Sequence, residues 1–108
     1  MSSTSVTPDL QSANEIIDLA SRAVGKGLRQ LAAIGGADKH QVLAYDLAHA
    51  ASAVETARSL LDYGAKGVHE GLITCAFTAD MAHELMTRLI GREALWGLEL
   101  NPLADASS

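Results

Sequence analysis

Two Asp-x-x-His pairs are the residues of this chain best spaced to do chemistry: Asp46 with His49, and Asp80 with His83. A carboxylate and an imidazole at this spacing sit about one turn apart on a helix, where both can reach one cation. Carboxylate-bridged metal bundles use a related Glu-x-x-His pair on each of two helices, with a further Glu from each of two others. If the two segments run antiparallel, His49 and His83 stand at similar heights. Rotational phase works against a shared ion. At about 100° per residue, His49 points roughly 140° from the middle of the apolar stripe on its own segment. His83 lies at the edge of its stripe, and the first segment adds only Glu15 and Asp18, on its polar side. His40 and His69 fall near helix starts, where solvated imidazoles are expected. A small metal-binding or enzymatic bundle using Asp46, His49, Asp80 and His83 is therefore the alternative reading, and a non-catalytic one is preferred.

The other reactive groups point the same way. Cys75 falls on the apolar side of the third segment, far from any helix N-terminus that would lower its pKa, so a buried, inert thiol is expected. Tyr45, Tyr63 and Trp96 bring no convergent polar groups with them and do not define a ligand pocket. Glu55 and Arg58 are one turn apart, the spacing of a helix-face ion pair. No Gly-rich loop opens a helix after a strand, which removes the scaffold of a phosphate cradle.

Three helices must position these residues. Thr7-Pro8-Asp9 predicts a helix start, with Thr7 as cap, Pro8 in the first turn and Asp9 complementing the dipole. Leu10, Ala13, Ile17, Ala20, Val24 and Leu31 then recur at helical spacing, with Glu15, Asp18, Arg22, Lys26 and Arg29 opposite. Gly35-Gly36 ends this segment, and Asp38 with Gln41 predicts a capping box for the second. Leu43, Leu47, Ala50, Val54, Ala57 and Leu61 form its stripe, and Gly64 and Gly67 mark the next turn. The third helix is predicted over 68–90, stopping near Gly91. No segment alternates with a period of two, so strands are not expected. The fold class is all-α: three antiparallel amphipathic helices in an up-down-up bundle. Residues 1–7 are expected to be a flexible N-terminus, 8–97 the bundle, and 98–108 a disordered tail or linker.

The third segment is apolar on two sides. One stripe is Leu72, Ala76, Ala79, Met86 and Ile90; the other is Ile73, Phe77, Met81 and Leu85. Three helices can cover one stripe, and the second asks for a partner. The expectation is a homodimer through Ile73, Phe77, Met81 and Leu85. A competing account has Leu98, Leu100 and Leu103 folding back over the stripe.

Composition narrows the remaining function classes. The 108 residues suit one domain, and a formal net charge of −5 with scattered bases argues against nucleic acid or an anionic membrane surface. A single cysteine rules out an internal disulfide framework and fits a cytoplasmic setting. No apolar run approaches the ~20 residues a membrane span requires, and residues 1–7 lack the apolar core of a signal peptide.

The segment from Gln41-Val42-Leu43-Ala44 through Glu55-Thr56-Ala57-Arg58 resembles one helix of the C-terminal bundle of acyl-CoA dehydrogenases. Ala76 to Ala82, running into Leu89-Ile90-Gly91-Arg92-Glu93-Ala94-Leu95-Trp96-Gly97, is similar to the helix leading into that family's Gly-Gly-x-Gly-Tyr turn. The resemblance covers about half of the chain. It implies a helical bundle belonging to, or docking on, an FAD-dependent flavoprotein, and it would place Glu93 where some members carry the catalytic base. The sequence departs from the family in its working parts. One glycine stands where two are usual. Gln30 to Gly36 lacks the Arg-x-x-Phe-Gly sequence that reaches the flavin phosphates, and no Glu-Gly-Thr follows Gly97. The chain itself is thus expected to hold no catalytic residue, metal or cofactor, FAD belonging to a parent protein, and to act in self-association or docking.

Overall fold

A computed structural model describes residues 7–98. It contains α1 (Leu10–Ala33), α2 (Gln41–Gly64) and α3 (Val68–Leu89), and no strand among the described residues. All three helices pack against one another. Cross-helix contacts fix the directions. Asp18 of α1 meets Arg58 of α2, and Gly27 lies against Leu47, so α1 and α2 are antiparallel. Thr74 of α3 bonds to Leu60, and Arg88 to Asp46, so α2 and α3 are antiparallel too. The up-down-up bundle is the observed fold. Residues 1–6 and 99–108, including Leu100 and Leu103 of the expected flap, lie outside the described part.

The helix starts differ in detail from the expectation. Asp9, not Thr7, caps α1: its carboxylate accepts from the Ser12 backbone N–H at 2.9 Å and the Ser12 hydroxyl at 2.7 Å. Pro8 consequently precedes the helix and packs on Gly71, where an added Cβ would sit 2.6 Å from the proline ring. No Asp38–Gln41 capping box forms. His40 occupies the N-cap of α2 without a side-chain cap bond, its Nε2 lying 3.0 Å from the Ile34 carbonyl. The α1–α2 turn is held instead by backbone bonds from Gly36 to Leu31 and from Lys39 and His40 to Gly36.

The core runs between Ile17, Val24 and Leu31 of α1, Leu43, Leu47 and Val54 of α2, and Met81, Leu85 and Leu89 of α3. On α3 the buried line is Gly71, Thr74, Thr78, Met81, Leu85 and Leu89. This corrects the expected interface. Met81 and Leu85 are 4% and 7% exposed within one chain, and Phe77 is half-buried, so only Ile73 of that set is exposed. The stripe assigned to the core, Leu72, Ala76, Ala79, Met86 and Ile90, faces outward. The inward line takes Met81 and Leu85 from the expected interface and continues through a pair of threonines that neither stripe contained. The Thr74 hydroxyl lies 2.9 Å from the Leu60 carbonyl and 3.0 Å from that of Glu70, and Thr78 donates to Thr74 at 2.9 Å. Returning the hydroxyl to a backbone carbonyl removes the cost of burying it, which lets threonine behave as a core residue.

Beyond α3 the chain turns and closes the open end of the bundle. Ile90 leaves the helix in an extended conformation (φ −60°, ψ 123°), and Gly91 and Gly97 take φ of 84° and 72°, a region that side chains other than glycine disfavour. Between them Trp96 inserts fully into the core, against α1 at Gly27. Its indole N–H is buried and has no partner among the described residues, a cost of about 1–3 kcal/mol that the burial of the ring offsets. Leu98 follows it onto the core as a half-buried residue.

Candidate functional site

The four residues of the metal reading are not gathered into a site. Asp46 lies on the buried face of α2 and spends both carboxylate oxygens on arginines, Oδ1 on Arg88 at 2.5 Å and Oδ2 on Arg92 at 3.1 Å. His49 is exposed and stacks edge-on against Tyr45, ring centroids 5.7 Å apart. Asp80 and His83 are exposed on α3. Among the described residues no group of three His, Cys, Asp or Glu side chains is placed to hold a metal ion. The structure uses Asp46 instead in a part-buried ion cluster with Arg88 and Arg92, which ties α2 to the end of α3 and the turn after it.

The other candidates are equally dispersed. Cys75 is half-buried rather than enclosed, at the edge of a shallow depression with Pro8, Ile16 and Thr78. Tyr45 and Tyr63 are exposed, whereas Trp96 is at the centre of the bundle, so the aromatics share no pocket. Arg58 reaches across to Asp18 at 3.2 Å instead of pairing along its own helix with Glu55. Glu93 is half-buried in the closing turn, its carbonyl accepting from the Leu98 N–H at 2.8 Å.

An open groove of about 440 Å³ runs between α1 and α3. Ile16, Leu19 and Ala23 line one wall, Ala82 and Met86 the other, and Leu98 closes one end; Arg22 and Lys26 stand at the rim. Leu19 is 60% exposed, Met86 44%, and Ile90, farther along α3, 65%. Leu72 and Ala79 continue the apolar surface toward the start of α3, beside Ile16. A small-molecule pocket needs a few polar groups converging on its ligand. Among the described residues that line the groove, the charged side chains are Arg22 and Lys26, two solvent-facing cations on one edge.

Ile16 and Leu19 have no place in the inward stripe read from the sequence, because that stripe runs through Ala13, Ile17 and Ala20. The signal was nonetheless present. Ser12, Ile16, Leu19, Ala23 and Lys26 step by four, three, four and three residues, a second line along α1 that its own bundle leaves uncovered.

No helix of the described part is long and apolar enough to cross a membrane. No family model, curated protein or solved structure matches the chain.

Proposed function

We propose that this chain is a non-catalytic helical association module that self-associates through the groove between α1 and α3. One observation carries the reading: an apolar face joined through Ile16 and made by Ile16, Leu19, Leu72 and Met86, all exposed on the bundle. Monomeric proteins seldom leave more than a few hundred Å² of contiguous apolar surface in water, and larger patches mark contact sites. Fully burying side chains of this size is worth roughly 1.5–3 kcal/mol each. Several such residues on each of two copies can exceed the entropic cost of association. The interface expected from the sequence is thereby moved from one side of α3 to the other.

Light scattering coupled to gel filtration tests this. The wild-type chain should run at twice its 11.3 kDa mass at micromolar concentration. Leu19→Glu and Met86→Glu should each give the monomer with unchanged helical circular dichroism. Phe77→Glu, on the face first expected to pair, should disturb folding before it disturbs association. A monomeric wild type refutes the reading. The non-catalytic part fails if purified protein retains a flavin spectrum through gel filtration, or reduces a dye with a panel of acyl-CoAs.

A further inference from the structure

The charges along α1 are segregated. Behind the N-cap Asp9, Glu15 and Asp18 are the only charged residues of its first half, and Arg22, Lys26 and Arg29 the only ones of its second. The helix dipole does not account for this pattern, since its influence is confined to the terminal turns. The first turn of α1 has no acid and the last turn no base. Asp18 is engaged with Arg58 of its own bundle, while Asp9, Glu15, Arg22 and Lys26 are exposed.

Position along the uncovered seam gives the pattern a meaning. Ile16 and Leu19 are the apolar centre of the line Ser12, Ile16, Leu19, Ala23, Lys26. Glu15 and Arg22 are seven residues apart and occupy the same flank of that line, on the solvent side. The opposite flank is Ala13, Ala20 and Gly27, already buried against α2, α3 and the closing turn. When two helices pair in antiparallel fashion, like flanks face each other; in parallel pairing, unlike flanks do. A parallel pair would thus set Glu15 opposite a buried flank. An antiparallel pair sets Glu15 opposite Arg22 of the second copy, and Arg22 opposite its Glu15.

We infer that the occupant of the groove is a second copy of this chain, its α1 lying antiparallel to the first across a two-fold axis at the level of Ile17 and Asp18. The inference rests on the association reading and specifies its geometry. One register satisfies every residue of the seam. Ile16 of each copy packs on Leu19 of the other beside the axis, with a Glu15–Arg22 ion pair on each side. Ser12 then meets Ala23, and Asp9 meets Lys26 at the ends. Apolar centre, flanking charges and terminal charges all close under the same rotation, which is what an isologous interface requires. Met86 and Ala82 of each α3 widen the contact beside the paired helices.

Charge reversal tests the register. Glu15→Arg and Arg22→Glu should each weaken the dimer by roughly ten-fold, because two exposed ion pairs become two repulsions. The double variant, Glu15→Arg with Arg22→Glu, should return to within about three-fold of wild type. Orientation is read separately in a Cys75→Ser background. Mixed Ser12→Cys and Ala23→Cys chains should form a disulfide-linked heterodimer on oxidation, whereas a parallel pair would cross-link Ser12→Cys chains to each other. A dimer that Leu19→Glu dissociates but charge reversal leaves unchanged overturns the antiparallel register and spares the association reading. Cross-linking of Ser12→Cys with itself does the same. A wild-type monomer removes both.

Discussion

Gly25 and Gly27 are two residues apart in α1, yet substitution by alanine should move stability in opposite directions. In an exposed helix interior, Gly→Ala gains roughly 1 kcal/mol through backbone entropy. At Gly25 the added Cβ would meet only Arg29 Nη1, at 3.6 Å, an ordinary contact with the end of a flexible side chain. A gain of about 0.5–1 kcal/mol is expected there. At Gly27 the Cβ would stand 2.4 Å from Leu47 Cδ2 and 3.0 Å from Trp96 Cε3. Both neighbours are 0% exposed, so neither can swing into solvent to make room. Overpacking of this kind costs about 1–3 kcal/mol, and the closeness of the contact places Gly27→Ala in the upper half of that range. Set against the helix gain, the net is a loss of roughly 1–2 kcal/mol. The two variants should then differ by about 2–3 kcal/mol, or on the order of 10–20 °C in Tm for a domain of this size. Urea unfolding followed by circular dichroism, at one fixed protein concentration, gives the difference directly; a fixed concentration matters because self-association shifts apparent stability. Leu47→Ala supplies the internal check. Alone it should cost about 2–5 kcal/mol, but in the Gly27→Ala background it also relieves the clash, so the pair should show a favourable coupling of at least ~1 kcal/mol. Gly27→Ala matching Gly25→Ala in stability, or a strictly additive double variant, would refute the close approach of α1 to α2 and Trp96.

Two further outcomes follow from the charged residues. Asp46→Asn keeps the side-chain volume but leaves Arg88 and Arg92 without their counter-charge; because both guanidiniums retain access to water, the loss should be about 1–3 kcal/mol rather than the larger cost of a fully buried orphan charge, and a change within about 0.5 kcal/mol in urea unfolding would show the cluster to be energetically idle. The Asp9 carboxyl is held below its ordinary value of 3.8, chiefly by the Ser12 backbone N–H and then by the Ser12 hydroxyl. Its stabilising contribution should therefore be fully present above that value and fade as pH falls through the lower folded one. Asp9→Asn, which keeps a capping side chain but cannot titrate, should flatten this part of the acid limb, and an Asp9 carboxyl titrating by NMR at or above 3.8 would contradict the cap.

What was legible in the sequence is what local periodicity encodes. The three helices lie close to their expected positions, α3 ending one residue before Ile90, because apolar spacing and the Gly35–Gly36, Gly64–Gly67 and Gly91 breaks are properties of neighbouring residues. The caps were less legible. Thr7 and Asp9 are both competent N-cap residues, and only the docking of Pro8 on Gly71 selects Asp9. The partners of Asp46 were illegible for a comparable reason. Asp46 and His49 have ligand spacing, but the partners of Asp46 are Arg88 and Arg92, more than forty residues away and brought to it by the antiparallel return of α3.

Sequence by itself determined that this chain is three amphipathic helices, the third apolar on two sides. Which face of α3 turns inward was decided by the tertiary structure. A stripe drawn from apolar residue types leaves out Thr74 and Thr78, since a hydroxyl is costly to bury alone. The fold resolves that cost by placing Thr74 beside the Leu60 carbonyl at the end of α2, and small Gly71 and Gly64 where the helices come closest. Trp96 was decided in the same way: two glycines in left-handed conformation turn the chain after α3 and carry its one indole into the space beside Gly27. A side chain's apolarity is local and can be read along the chain. The space available to it is set by other helices, and that exists only once they have packed.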